Sequence, residues 1–160
     1  MRHPSRYLAI PTLCMLASFP IGLAAQRLDS WTLRADVGAY AVDSNHGLAL
    51  GAHVGRRLLS GLLLSVGVVR GFGADFTDLE GGLELHFLPR GRVDPLVGLG
   101  FGYEDGAETD WILAFVVFAV EFEASPHNRV RAGVQRGSRN SIDGGMAGPH
   151  FISIGWTRSF

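Results

Sequence analysis

The chain has 160 residues, a formal net charge of −1 and a single cysteine, Cys14. This charge supplies no basic footprint for nucleic acid, and one cysteine forms neither an internal disulfide nor a multi-thiolate metal site. Glycine is abundant, with 22 residues, and no apolar run after residue 25 approaches the ~18 residues of a membrane-spanning helix.

The first segment has the organisation of an export signal. Arg2 and Arg6 precede the mostly apolar stretch 7–19, and small residues follow up to Ala25. This order predicts a signal peptide over 1–25, in preference to an anchoring helix, because the apolar core is short and two prolines interrupt it. The mature chain, 26–160, is then one domain without a thiol.

Eight segments with strand character follow the signal peptide. In each, large apolar residues alternate with small or polar ones, as on the two faces of a strand. An even number of strands places both termini at one end of a closed barrel, the form in which strands cross a membrane. The alternating segments are 31–40, 48–55, 62–68, 79–87, 97–103, 111–123, 130–134 and 152–160.

The connections between these segments alternate in predicted length. Those near Ser60, Pro89 and Pro126 are short, whereas the connections after the fifth and seventh strands are longer. Short periplasmic turns and longer outer loops are typical of outer-membrane barrels. The outer end of the barrel is therefore predicted to carry 104–110 and the glycine-rich segment 137–149.

Alternation alone does not separate a membrane barrel from a soluble lipocalin-like barrel, which is apolar inside. Here the polar face is rich in glycine, which suits the narrow lumen of eight strands. Aromatic residues near strand ends suit the interfacial girdles of a membrane barrel. We therefore expect the apolar face to contact lipid. These aromatic residues are Trp31, Phe87, Tyr103, Trp111, Phe122, Trp156 and Phe160.

The sixth strand departs from the pattern. From Trp111 to Val120 it is apolar on both faces, before Glu121 and Glu123 restore a polar one. Either a β-bulge shifts the register there or the lumen is dry toward the outer end. The sequence leaves both interpretations open.

Two runs resemble a known family. They are Pro-Leu-Val-Gly-Leu-Gly-Phe-Gly-Tyr at 95–103 and Gly-Trp-Thr-Arg-Ser-Phe at 155–160. The chain resembles the small outer-membrane β-barrel superfamily, typified by outer-membrane proteins A and X. The resemblance implies an all-β, eight-stranded antiparallel up-and-down transmembrane β-barrel in the outer membrane of a Gram-negative bacterium. It also implies that the barrel assembly machinery reads Trp156 and Phe160, although Arg158 stands where the family often has a large apolar residue.

Charged residues on the predicted inward face should form a hydrogen-bonded network, because a buried charge must be paired. Counting back from the turn at Pro126 places Glu123 almost opposite Arg131. Such a network has two possible roles, a proton or ion path and a structural plug. We expect the plug, since eight strands are too few for an open pore. The predicted lumen residues are Arg34, Asp36, His53, Glu80, Glu84, His86, Glu121, Glu123, Arg131 and Gln135.

The outer rim suggests two further contacts. Arg70 and Arg136 end lipid-facing rows, where guanidinium groups reach lipopolysaccharide phosphates. An ordinary rim charge explains them equally well. The acidic residues of 104–110 are expected to form a solvated tip, because their spacing lacks the order of an EF-hand calcium loop.

An enzymatic role has limited support in the sequence. Lipid-A deacylases of this architecture carry a His-x-Ser pair on one strand, which 26–160 lacks. Palmitoyltransferases use loop His, Asp and Ser, and Asp43, Ser44 and His46 offer these types. Three common polar residues usually form a turn, and the histidines have no zinc-site spacing.

We therefore expect a non-enzymatic, monomeric barrel with a structural or surface-interaction role and no cofactor. Its partners would be outer-membrane lipids, lipopolysaccharide and, during biogenesis, the barrel assembly machinery. A lipid-A-modifying enzyme and a soluble periplasmic carrier of an apolar ligand remain as alternatives.

Overall fold

The computed structural model describes residues 31–42, 45–73, 76–105, 110–140 and 150–160. The predicted signal peptide and its cleavage site lie outside the described residues. The described residues contain no helix that is long and apolar enough to cross a membrane.

Eight antiparallel strands follow one another in chain order and close into a barrel through pairing of the first with the last. The predicted eight-stranded antiparallel up-and-down barrel is confirmed. The strands are β1 (Trp31–Val42), β2 (Asn45–Leu59), β3 (Leu62–Phe72), β4 (Phe76–His86), β5 (Val93–Asp105), β6 (Asp110–Ser125), β7 (Asn128–Asn140) and β8 (His150–Ser159).

Strand alternation sorts the side chains between the two surfaces of the barrel wall. Large apolar side chains lie outside on every strand, with Leu33 at 50%, Phe101 at 66% and Ile154 at 63% exposure. Buried polar side chains and most of the glycines occupy the alternate, inward positions. The barrel is thus apolar outside and largely polar inside.

The sixth strand keeps one register along its apolar run. β6 pairs continuously with β5 from Asp110 to Phe122 and with β7 from Ile112 to Glu123. Leu113 and Val117 are buried inside the barrel. Of the two interpretations left open by the sequence, the bulge within this run is wrong, and the lumen is apolar there.

Several predicted connections are shorter than expected, because the strands extend further. β7 continues to Asn140 rather than ending before Gly137, and β5 continues to Asp105. Glu104 is consequently buried within a strand, at 2% exposure. Its assignment to a solvated acidic tip is wrong, although Asp105 is exposed.

The connections at the two ends of the barrel differ less than predicted. At one end the connections 60–61, 87–92 and 126–127 contain two, six and two residues. At the opposite end the four connections contain two, three, four and nine residues. The contrast is carried mainly by the nine-residue segment 141–149. We label the end with 60–61, 87–92 and 126–127 the periplasmic end and the opposite end, which has the nine-residue connection, the outer end, since short periplasmic turns and longer outer loops are typical of outer-membrane barrels.

Candidate functional site: the charged cluster of the lumen

A cluster of charged side chains fills the lumen between its centre and the periplasmic end. Glu84 lies at its middle and accepts hydrogen bonds from arginines on two other strands. Arg34 Nη1 donates to Glu84 Oε1 at 2.7 Å. Arg131 Nη1 and Nη2 donate to the two oxygens of Glu84 at 2.8 and 3.0 Å. This bidentate geometry is the strong form of the arginine–carboxylate pair.

Each arginine also contacts a second carboxylate. Arg34 Nε donates to Asp36 Oδ2 at 2.8 Å, and Arg131 Nη1 lies 3.9 Å from Glu121 Oε1. Thr157 Oγ1 donates to that same Glu121 oxygen at 3.1 Å. The cluster therefore ties together β1, β4, β6, β7 and β8 across the lumen.

Toward the centre of the lumen, His53 lies between two carboxylates. Its Nδ1 is 3.3 Å from Asp36 Oδ2, and its Nε2 is 3.5 Å from Glu80 Oε2. Glu80 also accepts a 2.6 Å hydrogen bond from Gln135 Nε2. The imidazole fits into space left by Gly67, since a Cβ there would overlap the ring.

At the periplasmic end the cluster continues through a residue that the sequence analysis missed. Asp94 is buried at 1% exposure. Its Oδ2 lies 2.8 Å from His86 Nδ1, and its Oδ1 accepts a hydrogen bond from Leu88 N at 2.9 Å. The inward row Leu96, Gly98, Gly100 extends back to Asp94 by strand alternation, and this signal was sufficient to find it.

Arg129 fastens the six-residue connection 87–92 to the cluster. Its Nη2 donates to the carbonyl oxygens of Pro89 and Gly91 at 3.0 and 3.1 Å. Its Nη1 lies 3.6 Å from Asp94 Oδ2. The periplasmic opening is thereby lined by a turn whose carbonyl groups are bound from inside the barrel.

One predicted lumen residue is not buried in the charged cluster. Glu123 is exposed and stands in register with Arg129, whereas Glu121 stands opposite Arg131. The predicted pairing of Glu123 with Arg131 is wrong by two positions, and the register shift between Glu123 and Ser125 accounts for one of them. A bulge of this kind adds one unpaired residue, which a count from the turn does not include.

The cluster contains three groups with metal-ligand chemistry. One ligand atom from each of His86, Asp94 and Glu121 lies within 4.8 Å of the others. Guanidinium groups of Arg129 and Arg131 lie within 3.6 and 3.9 Å of the two carboxylates. Positive charge thus already compensates these carboxylates and opposes a divalent cation at the same place.

The lumen holds little free space around the cluster. A cavity lined by Arg34, His53 and Glu80 has a volume of about 20 Å³, roughly the space one water molecule requires. Toward the outer end an apolar cluster follows, made of Tyr40, Ala49, Val69, Phe76 and Phe151.

The predicted rim and loop residues lie apart from the lumen cluster. Arg70 is exposed, and its Nη1 donates to Thr77 Oγ1 at 2.6 Å. Arg136 is also exposed and stands in register with His150. His46 is exposed on β2, while Asp43 and Ser44 lie outside the described residues.

The carboxy-terminal residues lie where the barrel closes. Trp156 and Phe160 are exposed on the outer face, at 47% and 65%. The backbone N–H of Phe160 donates to the carbonyl oxygen of Trp31 at 2.9 Å. The two residues of the predicted assembly signal therefore lie on the outer surface beside the β1–β8 seam.

No protein-family model and no curated protein matches the chain. Solved structures do. Neisserial surface protein A has a TM-score of 0.65 and 15% identity, with 84% of this chain and 98% of that one covered. The N-terminal barrel domain of Pseudomonas aeruginosa OprF has a TM-score of 0.65 and 11% identity, with 81% of this chain and 97% of that one covered. The outer-membrane enzyme PagL has a TM-score of 0.52 and 17% identity, with 79% of this chain and 98% of that one covered. The chain thus has the fold of small eight-stranded outer-membrane barrels.

Proposed function

We propose that the protein is a monomeric, non-enzymatic barrel of the bacterial outer membrane, closed by its lumen cluster, with a structural or surface-interaction role. One observation carries the proposal: the outer surface is apolar on all eight strands, while the arginines and carboxylates of the lumen bind one another. Such an exterior is stable in lipid, and such an interior requires no solvent to compensate its charges.

The distribution of residues argues against a soluble ligand carrier. A carrier would place Arg34 and Glu84 outside, whereas here they bind each other in the lumen and most of the large apolar side chains are exposed on the outer surface. Exposure of the 28 large apolar side chains of the described outer surface would be very unfavourable in water, because soluble monomers rarely show large contiguous apolar patches.

Export and insertion are tested by fractionation and by gel migration with and without boiling. We expect recovery with the outer membrane and a boiling-dependent shift, as for a closed, detergent-resistant barrel. Recovery in the soluble periplasm would overturn the proposal and favour the ligand carrier.

The closed lumen is tested by conductance in planar bilayers. We expect no resolved current steps for the wild-type barrel, since the carboxylate of Glu84 is bound from two sides. Steady unit conductance from the folded wild-type protein would show that the lumen is an ion path and not a plug.

Lipopolysaccharide is the proposed partner of the outer rim, through Arg70 and Arg136. Both guanidinium groups are exposed on the lipid-facing surface, where they can pair with phosphates. The Arg70→Gln, Arg136→Gln double variant should retain less lipopolysaccharide through purification than Arg90→Gln, which changes a charge at the other end. If both variants retained the same amount of lipopolysaccharide, Arg70 and Arg136 would be ordinary rim charges.

The barrel assembly machinery is the proposed partner of β8 during biogenesis. Phe160→Ala should lower the amount of folded barrel in the outer membrane more than Phe122→Ala, a lipid-facing change on another strand. An equal effect would show loss of stability rather than loss of a signal.

The enzyme alternative is kept open by the similarity to PagL and is tested directly. Mass spectrometry of lipid A from cells with and without the protein should show no difference in acylation. A difference that the Asp43→Ala, Ser44→Ala, His46→Ala triple variant abolishes would establish a lipid-A-modifying enzyme.

A further inference from the structure

The outer rim of the barrel has two unlike halves. On β3 to β6 the exposed side chains nearest this end include Phe72, Tyr103 and Ile112, which are large and mostly apolar. On β2, β1, β8 and β7 the corresponding exposed side chains are polar or small, and we call them the polar arc. Its members are His46 on β2, Ala41 on β1, His150 on β8, and Arg136 and Ser138 on β7.

Strand pairing brings four members of the polar arc into one row. Ala41 is in register with His46 on one side and with His150 on the other. His150 is in turn in register with Arg136. Residues in register on neighbouring strands lie on the same face of a sheet, and all four are exposed. The row therefore crosses four strands on the outer surface, including the seam at which the barrel closes.

The spacing of this row allows its polar side chains to converge. Neighbouring strands lie about 4.8 Å apart, so the Cα atoms of His46 and His150 are about 10 Å apart. Only the methyl group of Ala41 lies between them, and two imidazole rings that lean over it reach one small ligand. Arg136 is one strand beyond His150, and its longer side chain approaches the same place from the far side.

The polar arc supplies hydrogen-bond donors and, in the described parts of its four strands, no exposed carboxylate. Arg136 is in register with His150 and Val116, neither of which is an anion. An imidazole offers an N–H donor in either protonation state, and a guanidinium group offers five. An anion with several acceptor oxygens suits such a row, whereas the guanidinium group beside His150 repels a metal cation.

We propose that His46, His150 and Arg136 form a binding site for a phosphate group of lipopolysaccharide. Charge complementarity selects this occupant, and the row lies at the outer end of the lipid-facing surface, where headgroups are found. The acyl chains would lie against Leu48 and Ile152, which follow on the same face and are exposed. This inference rests on the proposed lipopolysaccharide contact and deepens it, because it adds two histidines and places the lipid on one side of the barrel.

The test measures binding of lipid A to the folded barrel in detergent by native mass spectrometry. Phosphorylated lipid A is compared with the same lipid after removal of its phosphate groups. We expect the phosphorylated form to bind the wild type at least about tenfold more tightly, since several hydrogen bonds depend on the phosphate. Equal binding of the two forms would overturn the phosphate site.

Gel migration before and after boiling, on protein inserted into vesicles, accompanies every sample. Failure of the wild type to insert would overturn the proposed membrane location. Normal insertion with binding that depends on Arg136 but not on the histidines would leave the lipopolysaccharide contact in place and overturn only the present site.

Substitution of the histidines separates the site from general attraction to the barrel. His150→Gln should weaken binding of phosphorylated lipid A about fivefold, and the His46→Gln, His150→Gln double variant by about tenfold or more. His127→Gln is the matched control, because His127 is also exposed but lies in the turn at the periplasmic end. Equal losses in His150→Gln and His127→Gln would overturn the site.

Two additions identify the ligand. A chelator should leave the preference for phosphorylated lipid A unchanged, and its loss on chelation would show that the two histidines hold a metal ion instead. Inorganic phosphate at the same concentration as lipid A should not displace the lipid. Displacement would identify a soluble phosphate rather than a lipid as the ligand.

Discussion

The lumen is filled in two different ways along the barrel axis. Toward the periplasmic end, Arg34, Glu84 and Arg131 bind one another through charged hydrogen bonds. Toward the outer end, Tyr40 and Phe76 pack edge to face with ring centres 4.9 Å apart. The same strands and the same alternation build both regions. What defines the inward face is therefore the apolar character of the outer surface, not the polarity of the residues inside.

The two regions should respond differently to substitution. A buried ion-paired group depends on all its members, because loss of one leaves the others charged, buried and unpaired. An apolar cluster loses stability roughly in proportion to the volume removed. Substitutions in each region test whether this contrast holds.

The largest effect is expected in the charged region. Glu84→Ala leaves two guanidinium groups without their shared carboxylate, and we expect a loss of about 3–5 kcal/mol in the free energy of unfolding. The measurement is urea unfolding of the barrel in phospholipid vesicles, followed by tryptophan fluorescence. Glu123→Ala is the control and should stay within about 0.5 kcal/mol, since that side chain is exposed.

Glu84→Gln separates charge from volume at the same position. It keeps the shape of the side chain and one acceptor oxygen, but removes the negative charge that Arg34 and Arg131 share. We expect it to destabilise the barrel nearly as much as Glu84→Ala. A near-neutral result would contradict the ion-pair description and show that packing around Glu84 is what matters.

The next effect concerns the apolar region. Phe151→Ala should cost about 3 kcal/mol, because the ring is 8% exposed within the outer cluster and its removal leaves a cavity. Phe151→Leu, which retains most of the volume, should cost less than about 1.5 kcal/mol. If leucine were as costly as alanine, an aromatic contact rather than volume would hold this region together.

The sequence predicted the fold because its determinants are local. Alternation over about ten residues identifies a strand and its two faces, and Arg34, Asp36, His53, Glu80 and Glu84 were placed in the lumen by that rule alone. The lumen polarity of β6 was undecided because both of its faces are apolar from Trp111 to Val120. Only pairing with β5 and β7 fixes that register.

The pairing within the cluster depended on details that alternation does not contain. Arg131 is in register with Glu121 rather than with Glu123, and the bulge before the turn at Pro126 accounts for one of the two positions between these residues. The contact of Glu84 with Arg34 joins residues 50 positions apart on strands that are not neighbours. Such contacts depend on the barrel's diameter and stagger, which no single strand encodes.

A smaller effect is expected where two strands approach closely. A Cβ on Gly38 would overlap the carbonyl oxygen of Ile152 and lie 2.8 Å from Ser153 Cα, both backbone atoms of β8. Gly38→Ala should therefore cost about 1–3 kcal/mol. Gly81→Ala is the matched control, since the nearest atoms to its Cβ are 3.9 Å away. Equal costs would mean that loss of glycine, not the contact with β8, is responsible.

The smallest effect should come from the hydroxyl group of the apolar region. Tyr40 Oη donates to the carbonyl oxygen of Phe72 at 3.3 Å, and Tyr40→Phe removes this bond while keeping the ring against Phe76. We expect a loss of about 1 kcal/mol in urea unfolding. A loss as large as that of Phe151→Ala would contradict the contrast between the two regions, because stability at the outer end would then also depend on a buried polar contact.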